Sequence, residues 1–120
     1  MEIISILDSI KQMLGIDSTD ESFDKELIIY INSALSTITK IGVGPEGFKI
    51  TDNTKTWPEF IGDRTDLEEV KTNVYLRVRL VFDPPQSSFA ITAIKEQILE
   101  GNFYIEMYRN KPVNVAEVME

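Results

Sequence analysis

Val74-Tyr75-Leu76-Arg77-Val78-Arg79-Leu80-Val81-Phe82, "VYLRVRLVF", decides the fold of this chain because two periods fit it. Read at a period of two, Val74, Leu76, Val78, Leu80 and Phe82 share one side, with Tyr75, Arg77 and Arg79 opposite, as in a half-buried strand. Read at 3.6, Leu67, Val70, Val74, Val78 and Val81 form one helical face. Local periodicity favours the strand. The helical set has a different advantage, since it continues in phase from Thr65-Asp66-Leu67-Glu68, which has the form of a capping box. The run from Asp66 to Phe82 also contains no Gly or Pro. On the helical reading apolar residues surround much of the cylinder, which must then be covered on several sides.

The neighbouring stretches read more simply. Ile3, Leu7, Ile10 and Leu14 mark one face of a first helix, stopped at Gly15. After the acidic "DSTDESFD", Phe23, Leu27, Ile31, Ala34, Ile38 and Ile41 mark a second, widened by Ile28 and Leu35. Asp83-Pro84-Pro85 breaks the third element. Ser87 or Ser88 then caps a fourth helix carrying Ala90, Ile91, Ile94, Ile98 and Ile105, with Gly101 as a candidate bend. Pro112 closes it. The expected fold class is all-α: a small bundle of four main helices, with a long irregular loop at about 42–64 between the second and third. One domain spans 1–110, and 111–120 form a flexible tail.

The loop holds the strongest local hint of function, since irregular segments over twenty residues long are uncommon in a small domain. Phe48 and Ile50 alternate as a short strand would, and "TWPEFIGD" reads as a turn or a single helical turn. Trp57 and Phe60 either plug a local core or anchor an interface. Tyr104 and Tyr108, at the end of the fourth helix, leave the same choice open. The loop begins with Gly42-Val43-Gly44-Pro45-Glu46-Gly47, which satisfies G-x-G-x-x-G. A dinucleotide fingerprint follows a strand and opens a helix. Here the motif follows a helix and leads into a polar loop, so Gly42 reads as a helix C-cap hinge, with a turn at Gly44 and Pro45.

Composition narrows the function classes. The 120 residues carry a formal charge of −8, 42% hydrophobic and 27% charged residues, as in ordinary folded domains. Such a field disfavours tight binding to phosphate backbones. With no Cys and no His, there is no thiolate, imidazole base or soft zinc site, and no cofactor or metal is expected. Asp17, Asp20, Glu21 and Asp24 do not have the spacing of a calcium loop and read as solvated carboxylates near a helix start. Glu68 and Glu69 are adjacent on a helix and point apart, which does not suit a catalytic pair. Arg77 and Arg79 are too few for a DNA-reading patch. Glu2 and Asp8 interrupt the N-terminal apolar residues, so no signal peptide is expected, and no apolar run approaches a membrane span.

Three quoted blocks carry a resemblance: "YINSALSTITKIGVGPEGFKI", "TWPEFIGD" and "VKTNVYLRVRLVFDPPQSSFAITAIKEQI". Together they resemble the head–tail connector (adaptor) proteins of tailed bacteriophages and prophages, from about Leu14 to Ile105. Tyr75 to Phe89 is the most specific part. Phe103-Tyr104-Ile105, following Gly101-Asn102, departs from the family's usual end to this helix. The resemblance implies a helical bundle and settles the third element as a helix. It further implies a ring of about a dozen copies beneath the portal protein, offering a platform to a tail-side stopper or tail protein. Double-stranded DNA would pass through without specific binding, and no membrane is involved. The expected location is the virion's head–tail junction, and host cytoplasm during assembly. No enzymatic activity is expected. The interface residues expected on this reading are Phe48, Ile50, Trp57, Phe60, Arg77, Arg79, Phe103, Tyr104, Met107 and Tyr108. The competing reading is a small helical DNA-binding or regulatory protein, with the first two helices as a helix-turn-helix, which the acidity opposes.

Overall fold

Residues 74–82 are helical. The computed structural model describes residues 5–109 and contains α1 (Ile6–Met13), α2 (Asp24–Lys40), α3 (Trp57–Ile61), α4 (Leu67–Phe82) and α5 (Ser88–Arg109). The helical face of α4 wins because Val70, Val74 and Val78 are fully buried, while Tyr75, Arg77, Arg79 and Leu80 are only half-buried. Val81 departs from the expected face and is exposed. The expected segment 111–120 and Ile3 lie outside the described residues.

α4 is the centre of the bundle, packed on one side by α2 and on another by α5, while α1 packs on α2. The main core joins Ile6, Leu7 and Ile10 of α1, the inward face of α2 and the valines of α4. Ile105 of α5 reaches this core, but farther along, Ile94 and Ile98 form only a small second cluster with Leu76. The outer helix is thus covered along one stripe.

Two local expectations are corrected, and Gly101 is given a packing role. First, the helix α4 starts without a capping box at Thr65. Its N-cap is Asp66, whose carboxylate holds Arg64, and the Thr65 hydroxyl pairs instead with the Tyr108 hydroxyl at 3.2 Å. The carboxylate half of a capping box occurs elsewhere: Glu59 accepts from the Thr56 backbone N–H at 3.0 Å at the start of α3. Second, no strand runs through Phe48 and Ile50. The Asn32 side chain accepts from the Ile50 N–H at 2.7 Å and donates to its carbonyl at 2.9 Å. One amide thereby satisfies both backbone groups that a neighbouring strand would have paired. At Gly101, α5 runs on without interruption. A Cβ there would lie 2.8 Å from Asn73 Nδ2, so the glycine admits the Asn73 amide between α4 and α5.

Lys11 is the least expected core residue, with 1% exposure. Its ammonium contacts the Asp24 carboxylate at 2.8 Å and donates to the Ser18 carbonyl at 3.1 Å, tying α1 to the start of α2. Two further acids of that connection are used locally. Asp17 accepts from the Thr19 N–H and hydroxyl, which hold its carboxyl below the usual range, and Asp20 is lowered likewise by the Ser22 hydroxyl and N–H.

Candidate assembly surface

α2 ends where the glycine motif begins. The Gly42 N–H donates to the Thr39 carbonyl at 3.0 Å, and the Val43 N–H to the Ile38 carbonyl at 3.4 Å. With Gly42 at φ 108° and Val43 packed in the core beside Ile38, this is a Schellman C-cap with its apolar contact. The Phe48 N–H closes a turn onto the Pro45 carbonyl. No helix begins until Trp57, so the motif does not open a helix as a dinucleotide fingerprint does.

The loop then folds inward. Ile50, Trp57 and Phe60 are 1%, 4% and 1% exposed and belong to the chain's own core. Phe48 is half-buried, with its ring 5.1 Å from that of Phe60. Gly44 faces Phe60 so closely that a Cβ would stand 2.4 Å from the ring. Of the loop residues expected at an interface, these four are placed in or against the core.

Arg64 ties this loop to the start of α4 and the last turns of α5. Its guanidinium forms a two-point ion pair with Asp66, donates to the carbonyls of Gly42 (3.2 Å) and Ile105 (3.1 Å), and lies 4.6 Å from the centre of the Tyr108 ring. The Thr65 hydroxyl and N–H both bond the Tyr108 oxygen and hold that phenol below its ordinary pKa. Gly42, Gly44, Pro45, Phe60 and Tyr108 thus meet around a shallow cleft of about 490 Å³ beside Arg64. Sequence reasoning missed Arg64, whose hydrogen-bond partners lie up to 41 residues away.

Arg77 and Arg79 are separated by the turn of α4. Arg77 is held by Asn73 Oδ1 (2.7 Å) and Asn102 Oδ1 (2.8 Å), and partial burial lowers its pKa. Arg79 donates to the Tyr75 hydroxyl at 3.4 Å. Neither has a carboxylate partner among the described residues.

On α5 the picture reverses. Phe103, Tyr104 and Met107 are 60%, 50% and 53% exposed. Leu99, one turn before Phe103, is also exposed and continues the row. Phe89 and Val81 add exposed apolar surface elsewhere on the pair. The spacing of Leu99, Phe103 and Met107 at i, i+4 and i+8 was a readable signal for this row, obscured by Ile94, Ile98 and Ile105 on the other side of the same helix.

Geometry and composition define a small all-α protein with an apolar row left on its outer helix. Over residues 6–112 the chain matches the family described as phage connector protein, and it belongs to that family. Its role is that of a structural connector of the bacteriophage particle. No curated protein and no solved structure matches the chain. Among the described residues, no helix is long and apolar enough to cross a membrane, and no group of three or more acidic side chains is placed to hold a metal ion.

Proposed function

We propose that this connector acts at the head–tail junction as a subunit of a homo-oligomeric ring beneath the portal protein, extending the DNA channel and docking tail-side proteins. Family membership supports the location and the class of partner. The observation that carries the reading is the row Leu99, Phe103 and Met107, with Tyr104 beside it, on a helix covered along one stripe. Exposed apolar rows of this kind are a common feature of surfaces buried by association. The charge of −8 per copy fits a channel wall that lets duplex DNA slide without gripping it.

The portal-facing surface on this reading is the end of α5 from Phe103 onward. Mixing the protein with its cognate portal and imaging negatively stained particles should show added ring density. Phe103→Ser with Met107→Ser should remove that density while leaving the circular dichroism spectrum unchanged. Absence of density with the unaltered protein, across salt and concentration, would sink the proposal. A salt-sensitive gel shift with duplex DNA at low micromolar protein would favour the DNA-binding alternative.

A further inference from the structure

We propose that copies of this chain associate head to tail, with an acidic groove between α4 and α5 of one copy seated on the outer face of α2 of the next. This inference rests on the ring reading above and names the surfaces that would make it.

The groove has a volume of about 310 Å³. Glu68 and Glu69 of α4 and Glu100 of α5 stand on its walls, with Leu76 and Tyr104 as apolar lining. All three glutamates are exposed, and none forms an ion pair among the described residues. The groove therefore presents negative charge beside apolar surface, with nothing of its own to neutralise it.

A complementary surface exists on the same chain. On α2, Lys25, Ile29, Ser33, Ser36 and Lys40 recur at helical spacing and are all exposed. Ile29 is 66% exposed. No acid lies in this row. Glu26 stands at its edge and accepts from the Tyr30 hydroxyl at 3.1 Å, and Lys49 adds a cation near Lys40 beside Glu46. Neither Lys25 nor Lys40 has an ion-pair partner among the described residues. In a chain with 20 acids and 12 bases, a helix row with two cations, an exposed isoleucine and no acid within it is a natural counterpart of the glutamate groove. The two serines keep the middle of the row low enough for another helix pair to approach.

Direction also matters. The core side of α2 holds Leu27, Ile31, Leu35 and Ile38 against α4 and α1, so the lysine row faces away from the bundle. The groove lies on a flank of α4 other than the one carrying Val70, Val74 and Val78. The patches are different surfaces on different sides, so one contact leaves a free patch at each end. Such heterologous contacts propagate and close into rings when the rotation permits.

The test uses reversed charges. A groove variant carries Glu69→Lys and Glu100→Lys; a face variant carries Lys25→Glu and Lys40→Glu. Sedimentation velocity should show each variant alone associating at least tenfold more weakly than the unaltered protein. An equimolar mixture should recover association, because each reversed surface then meets an opposite one. Recovery also excludes misfolding as the cause of the loss. Association by either variant alone at the unaltered level, or a mixture no tighter than its components, would overturn the contact while leaving a ring built on other surfaces. Loss of portal binding with self-association intact in the groove variant would mean that a different protein occupies the groove, and would likewise overturn it. An unaltered protein that stays monomeric at every concentration and adds no density to the portal would instead defeat the ring reading itself, and this contact with it.

Discussion

Segment 48–61 and helix α5 are both rich in aromatic residues, and they use them in opposite ways. Trp57 and Phe60 are 4% and 1% exposed, whereas Phe89 and Phe103 are 88% and 60% exposed. This largely irregular segment, whose aromatics Trp57 and Phe60 sit on the one-turn helix α3, is tied down by the Schellman turn, by the Asn32 amide and by Arg64. The regular helix touches its neighbour along one stripe. Regularity and burial are thus independent here: the loop is part of the core, and the longest helix supplies the exposed surface.

The sharpest way to break this contrast is to truncate one aromatic from each region. Phe60→Ala should lower unfolding free energy by about 3–5 kcal/mol, because it empties a packed site. Phe103→Ala should change it by no more than about 0.5 kcal/mol, as exposed substitutions do. Urea denaturation followed by circular dichroism would measure both. Equal losses would mean that the outer face of α5 is covered by its own chain.

A second comparison sets the Lys11–Asp24 pair against the apolar core around it. Asp24→Asn leaves a buried ammonium without its counter-charge, and should cost about 3 kcal/mol. Lys11→Met leaves a partly exposed carboxylate and fills the space with apolar atoms, so its cost should be clearly smaller. The reverse order, measured by the same denaturation, would show that the salt bridge does not govern this site. Leu7, Lys11 and Leu14 share a helical face, so the sequence did contain the signal of a lysine pointing inward.

Other features were legible to different degrees for physical reasons. α2 follows from periodicity, because it repeats its apolar residues over several turns, whereas the valine face of α4 was one of two periods that fit the same residues. Gly42 at a helix C-cap was equally readable, since the conformation of that position is set locally. The inward folding of the loop was not, because a lone Trp or Phe in an aperiodic segment carries no direction. Thr65 shows the limit of motif reading: its local pattern predicts a cap, but Tyr108, 43 residues later, takes the hydroxyl. Arg64, Asn73 and Asn102 were invisible for the same reason, since their partners are brought together only by the packing of α4, α5 and the loop.

The α4–α5 contact can be sharpened through Gly101. In an ordinary helix Gly→Ala stabilises by about 1 kcal/mol. Here the added Cβ meets Asn73 Nδ2, whose amide also donates to the Ile98 carbonyl at 3.2 Å and cannot simply swing away. Gly101→Ala alone should therefore be destabilising, by about 1 kcal/mol. In an Asn73→Ser background the same substitution should become stabilising. A double-mutant cycle tests this, and additivity would remove the steric account of Gly101.

The smallest expected effect concerns pH and separates the loop's charges from those on open helix faces. Asp52 is held below its ordinary pKa by the Thr54 hydroxyl and N–H, and Glu59 by the Thr56 N–H and hydroxyl. A carboxyl depressed in the folded chain adds stability that is fully present above its unfolded pKa and fades as pH falls through the folded value. Unfolding midpoints should therefore be flat above about pH 5 and decline below about pH 4. Glu59→Gln isolates one contributor, because glutamine can make the same reach back to the Thr56 N–H without titrating. Its midpoint at pH 7 should lie close to that of the unaltered chain, and its decline between about pH 4.5 and 3 should be shallower. An unchanged acid slope would mean that the Glu59–Thr56 bond contributes nothing to holding α3, and with it Trp57 and Phe60, in the core.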